Sequence, residues 1–294
     1  MKKTGFIAIV GRPNVGKSTL LNAILGEKIS IISSKPQTTR NRITGIHTVG
    51  ECQFVFLDTP GMIKPRNPLG DYMVRTADRS MREADAVILV ADVNRPISVA
   101  EENVIAYLKE SGTGSILALN KIDLCDRVKL AEMIAAYAKL HSFDATVPVS
   151  ARKGKNIDIL LDECKRFLIE HEWFFPEDML TDQPERQIAA EVIREKLLQT
   201  LSQEVPHGIA VVVEEFKDTE RLISIRAEIF CERESHKKII IGKGGETLKL
   251  VGTRAREELE QFFGTKVYLD LWVKVKENWR ESAAMVRNFG YRDE

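Results

Sequence analysis

The sequence predicts an α/β domain built on a mostly parallel six-stranded sheet with helices on both faces, followed by a smaller α+β domain. Three observations support that order. Short apolar runs at residues 6–10, 54–57, 86–91, 115–119 and 146–149 alternate with stretches of helical spacing, such as Leu20, Ile24 and Leu25, then Val104, Ile105 and Leu108. Strands alternating with helices imply a parallel sheet covered on both faces, and in such sheets ligands bind at the carboxyl ends of the strands. Past residue 184 the order changes to helix (185–203), two strands (209–215 and 222–231), helix, a glycine turn at 242–245, helix (247–262), strand (266–275) and a closing helix. Finally, 294 residues is about twice the common domain length. The expected division is a first domain over 1–175 that closes on an amphipathic helix at 157–170, a proline-bearing linker over 176–184, and a second domain over 185–294.

With 44% hydrophobic and 29% charged residues and no low-complexity run, the composition is that of an ordered soluble chain. Lys+Arg and Asp+Glu both number 43, so any signal for a nucleic-acid or membrane partner has to be local. Cys52, Cys125, Cys164 and Cys231 are scattered without metal-ligand or redox spacing, and the histidines are dispersed without a Ser or Cys partner. That disfavours zinc and Ser/Cys-His chemistry and suits a reduced, cytoplasmic setting. The apolar run near Met1 is broken by Gly11 and Arg12, too soon for a signal-peptide core or a membrane span.

Gly11-Arg12-Pro13-Asn14-Val15-Gly16-Lys17-Ser18 fits the G-x-x-x-x-G-K-[ST] pattern of a phosphate-binding loop, after an expected strand and before the helix opening near Thr19. Glycines let the main chain curl so that its N–H groups face phosphate oxygens, and the helix N-terminus adds positive dipole. Lys17 is placed to reach the β- and γ-phosphates and Ser18 to ligate Mg²⁺. Asp58-Thr59-Pro60-Gly61 stands at the end of the strand over 54–57, where Asp58 can face the same metal and the Gly61 N–H can sense the γ-phosphate; Met62 follows. Asn120-Lys121-Ile122-Asp123 stands at another strand end. The Asp123 carboxylate can accept from guanine N1–H and its 2-amino group, and adenine is rejected because the buried carboxylate is then left unpaired. Asn120 braces the loop, Lys121 lies along the base, and Ser150-Ala151 can offer a main-chain N–H to guanine O6. The expected ligand is therefore GTP or GDP with Mg²⁺.

These elements, in this order, resemble the translation-factor-like P-loop GTPases over residues 5–170. That resemblance implies a threonine that closes over the metal from the loop after the first helix. Thr38 and Thr39 both stand in the matching place within Lys35-Pro36-Gln37-Thr38-Thr39-Arg40, with Thr39 favoured. Ser18, Thr39 and Asp58 then form the metal set, and Lys17, Thr39, Asp58, Gly61 and Asn14 the catalytic set. Many such enzymes carry a glutamine after Asp-x-x-Gly to orient the attacking water. The thioether of Met62 cannot do this. Resemblance to GTPases with a hydrophobic residue there implies help from K⁺ bound through Asn14. Catalysis is then positioning plus charge stabilisation, with no covalent intermediate.

In the second domain, Lys237-Lys238-Ile239-Ile240-Ile241-Gly242-Lys243-Gly244-Gly245-Glu246 places a Gly-x-x-Gly turn between two helical patterns. This resembles the KH module, whose glycine loop lets two helices approach the backbone of single-stranded RNA. From Arg233 to Arg256 there are seven Lys/Arg against two Glu, a local basic footprint. The α-β-β-α-α-β order matches the type II KH arrangement, and Lys237, Lys238, Ile241, Gly242, Lys243, Gly244, Gly245, Lys249 and Arg254 are the expected RNA contacts. Trp272 and Trp279 are expected in the core or in domain packing. A GTPase followed by a type II KH domain, with Leu271-Trp272-Val273-Lys274-Val275-Lys276 near the end, resembles the Era-type GTPases over nearly the whole chain. The resemblance implies a monomer that binds the 3′ end of 16S rRNA and the 30S subunit in its GTP state, with peripheral association at the inner membrane. In this scheme γ-phosphate contacts order Thr38-Thr39 and the loop after Gly61, and so reposition the KH domain. The competing reading is a membrane-associated regulatory GTPase whose second domain binds protein.

Overall fold

The structure is a computed structural model and describes residues 1–202, 205–219 and 221–292. The chain forms two compact units. The first holds Met1–Ser30, Thr39–Lys64 and Met73–Asp182; the second holds Ile31–Thr38, Pro65–Tyr72 and the chain from Gln183 onward.

In the first unit the apolar runs become strands β1 (Lys3–Val10), β3 (Cys52–Asp58), β4 (Ala86–Asp92), β5 (Gly114–Asn120) and β6 (Ala145–Pro148). All five are parallel, in the order β3-β1-β4-β5-β6. Their apolar runs are continuous because both faces are covered. Ile7 and Ile9 pack on one side with Leu20, Leu21 and Ile24 of α1 (Lys17–Leu25) and Leu160 of α5 (Ile157–Cys164). Ala8 and Val10 pack on the other with Met81 of α2 (Pro68–Glu83), Val104 and Leu108 of α3 (Val99–Ser111), and Met133 of α4 (Arg127–Leu140). Strand order reverses at β1, so the carboxyl ends of β1 and its neighbours open onto a crevice where a ligand can sit.

The sheet has seven strands where six were expected. β2 (Ile43–Val49) lies antiparallel to β3 at the edge. With one polar-flanked edge it carries Thr44, Gly45, His47 and Thr48 and lacks the continuous apolar run of its neighbours. The helix expected over 157–170 stops at Cys164. A 3-10 turn, Lys165–Phe167, then leads to β7 (Ile169–Glu170), antiparallel to the start of β1. Phe167 and Leu168 still reach the core from this turn, so the apolar periodicity outlasts the helix.

In the second unit, α6 (Glu185–Thr200), β8 (Ala210–Thr219), β9 (Leu222–Cys231), α7 (Glu234–Ile241), α8 (Glu246–Phe263) and β10 (Lys266–Val275) reproduce the expected α-β-β-α-α-β order. The helix expected to reach Gln203 ends at Thr200, and Gln203 itself lies outside the described residues. β8 and β9 are antiparallel, whereas β9 and β10 are parallel and are joined by the α7–α8 crossover. Ile193, Ile225, Ile229, Ile240, Val251 and Leu259 form the core beneath the helices. A short helix, α9 (Ala283–Asn288), closes the chain.

The two tryptophans separate. Trp279 is fully buried as expected, with Nε1 donating to the Gly208 carbonyl at 2.9 Å and its ring against Phe289 and Tyr291. Trp272 corrects the expectation: it is 58% exposed, because strand alternation turns Leu271 and Val273 toward the core and Trp272 to the outer face of an edge strand. Trp279→Ala is therefore expected to destabilise the second unit by about 3–5 kcal/mol, and Trp272→Ala by under about 1 kcal/mol. Denaturant unfolding followed by fluorescence checks this, and equal losses contradict the assignment of faces.

Candidate functional site

The loop from Val10 to Lys17 is shaped by positive φ at Gly11, Asn14 and Gly16. Gly16 needs to be glycine twice over, since its φ is 102° and a Cβ there comes within 2.3 Å of Asn120 Nδ2. It leads into α1 with no side-chain cap, so the first amides of α1 face the loop. Val15 is buried in the core, and Thr19 lies in the first turn of α1. Arg12 turns away from the loop toward the buried Glu101 carboxylate, 3.5 Å away. Pro13 lies against Gly61. Lys17 Nζ donates to the Gly11 and Arg12 carbonyls at 3.1 and 3.2 Å. Burial lowers its pKa to about 8, against the opposing charge of Asp58.

Asp58, fully buried at the end of β3, gathers the residues expected to hold the metal. Its Oδ2 accepts from Ser18 Oγ at 2.7 Å, and Ser18 Oγ lies 2.9 Å from Thr39 Oγ1. The Thr38 hydroxyl instead donates to the Lys35 carbonyl at 2.6 Å, so Thr39 and not Thr38 joins the cluster. Ser30, which sequence reasoning missed, also donates to Asp58 Oδ2, at 2.9 Å. Asn22 of α1 fixes Ser30 by accepting the Ile29 and Ser30 N–H groups and donating to the Ser30 carbonyl. No motif marks Ser30; a serine amid apolar residues eight positions past an asparagine carries no signal of its own. Burial raises the Asp58 pKa, offset by the Lys17 charge and by the Ser18 and Ser30 hydrogen bonds. The other carboxylate oxygen, Oδ1, is buried with no hydrogen-bond partner among the described residues. An orphaned carboxylate oxygen beside two hydroxyls fits a hard divalent cation such as Mg²⁺.

Thr59 donates from N and Oγ1 to the Ile9 carbonyl, which pins the Asp58-Thr59-Pro60-Gly61 turn to β1. Met62 N donates to the Gly11 carbonyl at 3.1 Å while its side chain packs against the apolar core.

Asn120 is nearly fully buried and uses its whole amide. Nδ2 donates to the Val15 carbonyl at 2.8 Å, and Oδ1 accepts the Lys121 and Ala151 N–H groups at 2.8 and 2.9 Å. It thereby ties the phosphate loop to the base-reading loop, as expected of a brace. Lys121, at φ 70°, donates from Nζ to the Asn14 carbonyl and to Asp92 Oδ2, both at 2.8 Å. Asp92, at the end of β4, was not anticipated from sequence. Ile122 N is held by the Val149 carbonyl. Asp123 is exposed and accepts from Ser150 Oγ at 2.6 Å, a bond that holds its pKa below the usual carboxylate range. At Ser150-Ala151, expected to offer a main-chain N–H to guanine O6, Ser150 N bonds the Lys155 carbonyl and Ala151 N bonds Asn120 Oδ1. This pair braces the loop and orients Asp123.

In the second unit α7 ends at Gly242, and the Lys243–Gly245 turn leads into α8. At Gly242, φ is 76° and a Cβ comes within 2.3 Å of Thr247 Oγ1, so the helices meet without room for a side chain. Gly244 and Gly245 follow in the exposed turn. Lys238, Lys243, Lys249 and Arg254 are exposed, Lys237 and Ile241 half-buried. Arg256 is engaged by Glu260 at 3.0 Å, and no ion pair among the described residues involves Lys237, Lys238, Lys243, Lys249 or Arg254.

Two exchanges test the base-reading loop. Asp123→Asn is expected to weaken GDP by about 100-fold or more and to favour the xanthine nucleotide, because two charge-assisted bonds are lost. Retained guanine selectivity in competition binding contradicts the assignment. Asn120→Ala unfastens the phosphate loop as well and is expected to weaken both nucleotides alike.

Residues 6–121 match the family described as 50S ribosome-binding GTPase, and residues 204–280 match the KH domain family. The chain is 50% identical to GTPase Era of Ruminiclostridium cellulolyticum over 99% of its length and 98% of that protein. It is 48% identical to GTPase Era of Clostridioides difficile over the whole of both. Among solved structures it resembles Era in complex with MgGDPNP and nucleotides 1506–1542 of 16S ribosomal RNA, with a TM-score of 0.96 at 43% identity and full coverage of both chains. It also resembles a point variant of Aquifex aeolicus Era bound to GDP·AlF4⁻, with a TM-score of 0.95 at 43% identity over 99% of this chain and the whole of that one. A phosphate loop and an Asn-Lys-x-Asp loop joined through Asn120, followed by a KH fold and matched end to end by these relatives, place the chain in the Era family of GTPases.

Proposed function

We propose that this chain is a GTP-hydrolysing switch that binds single-stranded RNA near the 3′ end of 16S rRNA and assists assembly of the 30S subunit. One observation carries the RNA half: five basic side chains without ion-pair partners among the described residues flank a glycine turn that brings two helices together. A solved relative with its own 16S rRNA segment bound supports the same identification. Balanced whole-chain charge makes this patch the local basic site that a phosphate backbone requires. The setting is cytoplasmic. Among the described residues no helix is long and apolar enough to cross a membrane, and association with the inner membrane would be peripheral.

In the nucleotide site Ser18, Thr39 and Asp58 would hold Mg²⁺, with Ser30 fixing the Asp58 carboxylate. Bound there, the metal supplies positive charge to the β- and γ-phosphates. Lys17 leaves the Gly11 and Arg12 carbonyls for the phosphate oxygens, and its proton is retained against the triphosphate's negative charge. The Gly61 N–H faces the γ-phosphate, and the chain's contribution to water attack is to hold it in line. Met62, packed into the core, takes no part in orienting that water. Asn14, which stands at φ 65° in the loop, would hold K⁺, whose positive charge would then stabilise the transferring phosphoryl group.

Filter binding to a single-stranded segment of the rRNA 3′ end is expected to show tighter binding with a GTP analogue than with GDP. No binding in either state favours the regulatory GTPase with a protein partner. Lys243→Glu is expected to weaken RNA binding and to reduce the salt slope by about 1 or more. GTP hydrolysis is expected to run faster in KCl than in NaCl, and equal rates remove K⁺ from the mechanism.

A further inference from the structure

The loop between α1 and β2 is fastened at three places. At its start, buried Ser30 donates to Asp58. At its end, Thr39 lies against Ser18. The residues between them, Ile31–Thr38, belong to the second compact unit, where α6 holds them by their main chain. Glu195 Oε1 accepts the Ile32 N–H at 2.8 Å, and Gln199 Nε2 donates to the Ile32 carbonyl at 3.3 Å. Arg194 Nη2 donates to the Thr38 carbonyl.

Arg194 and Glu195 are 1% and 0% exposed, in the middle of a helix that is buried along most of its length. Arg194 is steadied by Glu191, with Nε to Oε1 at 2.9 Å, and Glu195 Oε2 accepts from Lys196 Nζ at 2.7 Å, which also donates to Glu258. Burying such charges is costly, and an apolar side chain of similar length is often as stable or more so. Arg194 Nη1 has no hydrogen-bond partner among the described residues, a cost that a methionine avoids. What these side chains do that an apolar one cannot is hold two peptide groups of the loop. The Thr38 carbonyl and the Thr39 N–H belong to one planar peptide, so fixing the first sets the direction in which Thr39 leaves.

We propose that Arg194 and Glu195 are positioning residues for GTP hydrolysis: they hold Ile32 and Thr38 by their main chain, and through the Thr38–Thr39 peptide they set how Thr39 is presented as a metal ligand. The inference rests on the reading of Thr39 as a metal ligand. Neither residue touches nucleotide; both act through the loop.

The test compares Arg194→Met, Thr39→Ala and the double variant in the full chain. It measures affinity for GDP and for a non-hydrolysable GTP analogue across a magnesium titration, together with kcat for GTP. Arg194→Met is expected to lower analogue affinity and kcat about tenfold, to leave GDP affinity within about twofold, and to add nothing once Thr39 is alanine. Arg194→Lys, which keeps a donor for the Thr38 carbonyl, is expected to recover most of the loss. Equal losses for GDP and analogue, no loss, or full additivity with Thr39→Ala overturns the proposal. A normal magnesium response in Thr39→Ala sinks the metal-ligand reading, and this inference with it; an altered response there beside an unaffected Arg194→Met sinks this inference alone. Should Arg194→Met fail to fold, Glu195→Gln carries the same comparison, with a smaller selective loss expected and an unselective one contradicting it.

Discussion

The nucleotide site depends on one buried carboxylate. Asp58 has no solvent to hydrate its charge, and its burial is offset only in part by Lys17, Ser18 and Ser30. One oxygen is shared by two hydroxyls and the other lacks a partner among the described residues. Such a group is costly to keep as it stands and is relieved by a divalent cation. The segments bearing Ser18, Ser30 and Thr39 converge on that carboxylate, which is what the proposed cation site requires.

The fold makes this convergence cheap. β1 lies where strand order reverses, and the ends of β1, β3, β4 and β5 deliver Gly11, Asp58, Asp92 and Asn120 to one crevice. Asn120 is the structural counterpart of Asp58 on the base side. With each polar atom of its amide engaged, it ties the loop before α1 to the loop that bears Asp123. Within the second unit, Ile32 and Thr38 of the loop before Thr39 are held by Arg194, Glu195 and Gln199 of α6.

What was legible in the sequence follows a physical rule. Gly16, Lys17 and the Asp58–Gly61 and Asn120–Asp123 turns stand in short runs whose residue types and spacing form a pattern, even though Asp58 and Asn120 have partners 40 and 105 positions away. Ser30, Asp92 and Arg194 act through partners 28, 29 and 156 positions away, so nothing beside them in sequence signals the contact. Arg194 is the sharpest case, since a charged residue in a helix ordinarily faces solvent. Strands failed in the same way: β2 at a sheet edge and two-residue β7 lack the apolar run that marked their buried neighbours. The expectation for Trp272 failed because sequence gives the alternation of a strand but not which face a helix will cover. Ser150 and Ala151 have main-chain N–H groups bonded to Lys155 and Asn120, contacts that no adjacent residue signals.

The most direct measurement is calorimetric binding of a non-hydrolysable GTP analogue to the wild-type chain and to Asp58→Asn, each with and without millimolar Mg²⁺. If Asp58 gathers the site around a cation, Mg²⁺ strengthens binding to the wild type and gives little or no gain in the variant. An equal gain in both contradicts the account.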